Sequence, residues 1–170
     1  MINLLFNKEL LTQNLRGLAA DLLHKNQKLA AAESCTGGLI AAACTDLSGS
    51  SAWFERGFVT YSNESKTEML GVPAALIERD GAVSETVARA MVQGALAHSH
   101  AQVAVAVTGV AGPTGGSPDK PVGLVWFGFA VAGQISTEKH HFPGDRAAVR
   151  AATVQHAFAR LLELLKTIQP

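Results

Sequence analysis

Apolar residues recur at intervals of three and four near the start of the chain: Leu10, Leu11, Leu15, Leu18, Ala19, Leu22 and Leu23. That spacing predicts an amphipathic helix over roughly Asn7 to Lys25. The apolar run Leu29 to Ala32 reads as a buried strand. Leu39-Ile40-Ala41-Ala42-Ala43 then begins a helix expected to end near Leu47-Ser48-Gly49. Trp53 to Tyr61, rich in aromatic and β-branched residues, predicts a strand despite Gly57. Ser62 is placed to cap a short helix that stops at Gly71, and Pro73 starts another helical piece. Ser84 caps a helix to about His98, with Val87, Met91, Ala95 and Leu96 facing inward. Gln102 to Val107 reads as a central strand, and a Gly/Pro loop runs from Thr108 to Pro121. Two more strands, Val122 to Val131 and Gln134 to Phe142, flank a hairpin turn at Ala132-Gly133. Asp145 caps a final helix carrying Val149, Val154, Phe158, Leu161, Leu162 and Leu165. Helices alternating with strands, plus one hairpin, predict an α/β fold: a three-layer α/β/α sandwich with a mixed sheet.

The chain has 170 residues, a length that suggests one domain spanning 1–170. Hydrophobic residues make up 48% and charged residues 16%, so a large core is available. Fourteen basic residues balance fourteen acidic ones, which gives no support for a nucleic-acid surface. Cys35 and Cys44 have neither a disulfide framework nor zinc spacing. With no signal segment and no apolar run of about 18 residues, the expectation is a cytoplasmic protein that does not engage a membrane. The first and last helices offer apolar surface either to the sheet or to a second copy in a homodimer.

Chemistry concentrates at Glu33-Ser34-Cys35-Thr36-Gly37-Gly38, a strand-to-helix turn. Free N–H groups and the positive end of a helix dipole lie beside potential nucleophiles there. Ser34 or Thr36 can serve simply as the helix N-cap. Ser34 can instead be a nucleophile with an oxyanion site at the helix start, although the G-x-S-x-G pattern is absent. Cys35 is the rival nucleophile, or a small buried residue. A serine needs a base. None of the six histidines stands at a turn that converges on Ser34. Tyr61 at a strand end and Lys66 one turn into the next helix are better placed. Lys66 serves as a base only if burial or a nearby cation lowers its pKa; otherwise it is a solvated residue paired with Glu64 or Glu68. The loop containing Thr108, Gly109, Gly112, Gly115 and Gly116 leaves a buried strand and is unusually long for a plain connection. Its glycines suit the approach of a phosphate, although it is neither a P-loop nor a dinucleotide fingerprint. Arg146 opposes the dipole of the last helix, which points to anion binding as against a solvent-facing role.

Four segments together resemble one family: Ala32 to Gly38, Tyr61 to Lys66, Val107 to Pro113, and Pro121-Val122-Gly123. They look like the C-terminal domain of the CinA family, also called the competence/damage-inducible family, and the likeness runs from about Leu10 to Leu165. The resemblance implies an α/β/α fold and deamidation of nicotinamide mononucleotide to nicotinic acid mononucleotide and ammonia, a step of pyridine nucleotide recycling. It implies Ser34 as nucleophile, with Lys66 and Tyr61 as base and proton relay. Cys35, Thr36 and Gly37 shape the oxyanion site, and the Thr108–Gly116 loop with Arg146 holds the nucleotide. It implies no metal and no cofactor. Many members carry a further N-terminal domain, so the chain resembles the stand-alone deamidase form. A non-catalytic nucleotide-binding or regulatory module and a serine hydrolase acting on another amide or ester are the competing readings.

Overall fold

The computed structural model describes residues 7–167. Helix α1 (Lys8–His24) leads into strand β1 (Leu29–Glu33), then α2 (Leu39–Thr45), a 3-10 turn (Ser50–Ala52) and β2 (Phe54–Val59). Three helices follow: α3 (Asn63–Leu70), α4 (Ala74–Asp80) and α5 (Glu85–Ala97). The chain closes with β3 (Val103–Gly109), β4 (Leu124–Val131), β5 (Gln134–His141) and α6 (Arg146–Thr167).

The strands form one mixed sheet in the order β2-β1-β3-β4-β5. β1 runs parallel to both β2 and β3, whereas β4 and β5 are added antiparallel. β1 is covered on both faces, and its small residues Ala30, Ala31 and Ala32 are wholly buried. One face packs against α1, α2 and α6 around Leu18, Leu22, Phe127 and Phe158. The other packs against α3, α4 and α5 around Leu70, Ile77, Met91 and Val92. The predicted sandwich is therefore the observed one.

Local signals placed most boundaries. Asn7, Ser62 and Ser84 cap their helices through the N–H groups of Leu10, Ser65 and Val87, and Asp145 caps α6 through Ala148. Gly57 sits in β2 because its missing side chain makes room for Ala41 of α2. Gly94 serves α5 in the same way: a methyl there would run into the Leu70 carbonyl.

Several boundaries move. β2 is Phe54–Val59, shorter than Trp53 to Tyr61, so Tyr61 lies just beyond the strand, where the Thr60 and Tyr61 carbonyls turn to Lys66. α2 ends at Thr45, before Leu47-Ser48-Gly49, because the chain there turns into the 3-10 segment. β3 continues through Thr108 and Gly109, which pair with Trp126 and Val125 of β4. β4 begins at Leu124, after Gly123, whose φ of 95° is not strand-like. Among the described residues no helix is long and apolar enough to cross a membrane.

Candidate active site

The chain leaves β1 toward β2 on one side and returns to β3 on the other. The carboxyl ends of β1 and β3 thus meet where a sheet of this kind opens a crevice. Ser34 sits at that point, its N–H donating to the Val107 carbonyl at 3.1 Å. The turn that follows needs left-handed backbone at Gly37 (φ 59°) and Gly38 (φ 101°), which a β-carbon would strain.

The start of α2 is capped by Glu33, a residue to which sequence reasoning assigned no role. Its buried carboxylate accepts from the Thr36 hydroxyl at 2.7 Å and the Ile40 N–H at 2.7 Å through Oε1. Oε2 accepts from the Ala41 N–H at 3.2 Å. A carboxylate is the charge favoured at a helix N-terminus. Neither Ser34 nor Thr36 is therefore the cap; Gly38 holds that position without a side-chain bond.

The Ser34 hydroxyl instead meets Lys66. The lysine Nζ donates to Ser34 Oγ at 3.1 Å and to the carbonyls of Thr60 at 2.8 Å and Tyr61 at 3.3 Å. Lys66 is only 1% exposed, far from the solvated residue its sequence context allowed. Among the described residues no carboxylate pairs with it. Burial lowers its pKa below the ordinary amine value, and the neighbouring Cys35 thiol acts weakly in the opposite direction. The Cys35 thiol is itself pushed up to about 12 by burial. A group so far from thiolate at neutral pH is a poor nucleophile.

Tyr61 contributes in two places. Its carbonyl faces Lys66, while its exposed phenol oxygen accepts from Arg146 Nη2 at 3.1 Å. Arg146 Nη1 donates to the Gly112 carbonyl at 2.9 Å, joining the glycine loop to the start of α6. The Thr108 hydroxyl is spent on the Ala82 carbonyl at 2.8 Å. The loop is braced from below by Lys120, whose ammonium donates to the Asp80 carbonyl.

A cavity of about 190 Å³ brings together Ser34, Cys35, Tyr61, Lys66, Thr108, Gly109 and Arg146. A second, of about 630 Å³, adjoins it, sharing Ala111 and Arg146 and reaching Pro113, Asp145 and Arg150. Gly115 and Gly116 border neither cavity; Gly116 packs against Val122. Thr36 and Gly37 also stand back from both, acting through the backbone of the turn.

Arg150 was not singled out in the sequence, although it lies one helical turn beyond Arg146. Its Nε and Nη2 donate to the carbonyls of Cys35 and Thr36 at 3.1 and 3.0 Å. Because a trans peptide points its N–H away from its C=O, holding the Cys35 carbonyl directs the Thr36 N–H to the opposite side. The Gly37 N–H is consumed by the Ser34 carbonyl at 3.1 Å. Among the described residues, the N–H groups of Cys35 and Thr36 have no backbone or side-chain acceptor other than what the Cys35 sulfur offers its own amide.

Known proteins share this arrangement of sequence and fold. The model of the CinA C-terminal domain matches residues 12–165. A Pseudomonas putida protein named nicotinamide-nucleotide amidohydrolase PncC is 54% identical over 147 residues, covering 86% of this chain and 92% of its own. A protein of the same name from Enterobacter agglomerans is 58% identical over 134 residues, covering 78% of this chain and 82% of its own. Among solved structures, the competence/damage inducible protein CihA from Agrobacterium tumefaciens superposes with a TM-score of 0.89 at 43% identity, covering 94% of this chain and 97% of that one. Motif order, fold and sequence thus agree over nearly the same span, and the chain belongs to the CinA C-terminal domain family.

Proposed function

We propose that this protein is a nicotinamide-nucleotide amidohydrolase that uses Ser34 as nucleophile and Lys66 as base. One observation carries the reading: a buried lysine amine 3.1 Å from the Ser34 hydroxyl, in a cavity large enough to admit a carboxamide. The names of the relatives support the substrate.

A neutral amine has two N–H donors and one lone pair. The Thr60 and Tyr61 carbonyls take the two donors, which leaves the lone pair for the Ser34 hydroxyl proton. Burial lowers the lysine pKa and so favours that neutral form, in which the 3.1 Å bond reverses and the Ser34 hydroxyl donates to Nζ. As the proton passes to Lys66, Ser34 Oγ bonds to the carboxamide carbon. The N–H groups of Cys35 and Thr36 receive the developing oxyanion. The Lys66 ammonium then returns the proton to the amide nitrogen, the C–N bond breaks, and ammonia departs. A water molecule, deprotonated by Lys66, attacks the resulting ester and releases the carboxylate product and Ser34.

This geometry favours direct transfer between Ser34 and Lys66 over a relay through the Tyr61 phenol, which is engaged by Arg146. The larger cavity is the place for the ribose phosphate. Two guanidinium groups, Arg146 and Arg150, and the N-terminus of the 22-residue helix α6 line it.

The test is ammonia release from nicotinamide mononucleotide, nicotinamide riboside and nicotinamide by wild type and Ser34→Ala. The expected result is preference for the nucleotide and loss of turnover in Ser34→Ala. Wild-type turnover by Ser34→Ala would refute the nucleophile. Activity on the free base alone would refute the phosphate site. Ligand-induced stabilisation without turnover would point to a binding module.

A further inference from the structure

On the far flank of the sheet, away from Ser34, two histidines and a glutamate converge. Glu138 and His140 alternate along the edge strand β5 and so share the face turned toward α6, from which His156 reaches back. His156 Nε2 lies 2.6 Å from Glu138 Oε1, and His140 Nε2 lies 3.4 Å from that same oxygen. One donor atom from each of the three residues falls within 4.8 Å of the others. We propose that Glu138, His140 and His156 form a binding site for a divalent transition-metal ion of the zinc, nickel or copper class, separate from the amidohydrolase site and independent of that reading.

The donor set is two imidazole nitrogens and one carboxylate oxygen, the combination that borderline ions prefer. Ligands about 2.0–2.1 Å from a tetrahedral ion stand about 3.3 Å apart, so the three donors need only small rotations to enclose one. The imidazoles are also held in place. Their ring centroids are 3.9 Å apart, and both rest on Phe127, at 5.9 Å from His140 and 4.8 Å from His156. Phe142 lies along His140 at 5.8 Å in a stacked arrangement. Such aromatic packing fixes ring orientation before any ion arrives.

Charge favours a cation despite the nearby Arg160. Its Nε donates to Glu138 Oε2 at 3.1 Å, leaving Oε1 for the ion, and its Nη1 is shared with Glu163 at 3.0 Å. Two carboxylates against one guanidinium leave the cluster with a net negative charge when the imidazoles are neutral. Arg160 thereby orients the ligating carboxylate from outside, a recurring arrangement around metal ligands. The three side chains are partly exposed, which gives an ion a route in from solvent and leaves room for water as a fourth ligand. On ligation, an imidazole whose Nε2 carries the proton moves it to Nδ1, and no oxidation or reduction is involved. The bound ion would tie the free edge of the sheet to α6.

The experiment uses protein freed of any histidine tag and stripped with chelator, titrated with Zn²⁺ or Ni²⁺ by calorimetry and by melting. The expected result is one ion per chain and a Tm rise of about 5–10 °C at a hundredfold excess over Kd. His140→Gln and His156→Gln should each weaken binding at least about tenfold, while His24→Gln should leave it unchanged. Equal binding by wild type and the His140→Gln/His156→Gln double variant overturns the proposal. So does an equal loss in His24→Gln. If either imidazole variant fails to melt cooperatively, Cu²⁺ bound to the wild type decides. Hyperfine coupling to two imidazole nitrogens supports the site, and coupling to none overturns it.

Discussion

Replacing Lys66 by Met is the most direct probe of the candidate site. Met preserves the buried stem and removes the amine. A positioned general base contributes roughly 10²–10⁴ in rate, so kcat should fall by that factor, equivalent to about 3–5 kcal/mol of transition-state stabilisation. The fold should tolerate the change, because two effects oppose. Loss of the amine leaves the Thr60 and Tyr61 carbonyls without that donor, at about 1–3 kcal/mol each. Against this, the folded state no longer has to desolvate an amine. The sign follows from linkage: the folded pKa of Lys66 is lowered, so the unfolded chain binds more protons in the window below about pH 10.4. Wild-type stability should therefore rise with pH from the lowered folded pKa up to that limit, and Lys66→Met should lose this rise. The same group governs rate. Protonated Lys66 cannot accept the Ser34 proton, so wild-type kcat/KM should fall as pH falls through the lowered pKa. A pH–rate profile of ammonia release, with urea or thermal melts on the same samples, measures both. Lys66→Met retaining activity within tenfold of wild type, or keeping an unaltered acid limb in its residual rate, would refute the role.

Glu33→Gln places an amide NH₂ against one of the donors at the start of α2 and removes a favourable helix-dipole charge. It should cost about 2 kcal/mol, a Tm drop of about 4–8 °C by melting, with kcat falling because the Ser34 turn loosens. Tyr61→Phe removes the phenol from Arg146 but leaves the carbonyl on Lys66; steady-state kinetics should give a raised KM with kcat changed less than in Lys66→Met. Cys35 and Cys44, both raised in pKa by burial, should resist iodoacetamide at pH 8 in the folded protein and react on unfolding, as mass spectrometry would detect.

Much of this protein was legible without coordinates. The three-and-four spacing of leucines in α1, the Ser62, Ser84 and Asp145 caps and the hairpin turn at Ala132-Gly133 are all local signals, written within a few residues of where they act. Ser34 at a strand-to-helix turn was equally local. The site residues that escaped notice were those whose role depends on distant chain. Glu33 stood at the end of an apolar run, but only the course of α2 turned its carboxylate into a cap. Arg150 was one of several arginines until α6 crossed the Ser34 turn.

Periodicity, capping and turn formation are short-range, so the order of the elements and the residue types that chemistry needs could be read along the chain. They did not determine the order of strands in the sheet or which side chains would meet. Lys66 reaches Ser34 across 32 residues and Arg146 reaches the Tyr61 phenol across 85. Those meetings exist because β1 is flanked by β2 and β3, so that their carboxyl ends open one crevice. The tertiary structure also decided how Lys66 is buried and which of Tyr61's two oxygens faces it. Both depend on packing between elements, which no local spacing encodes.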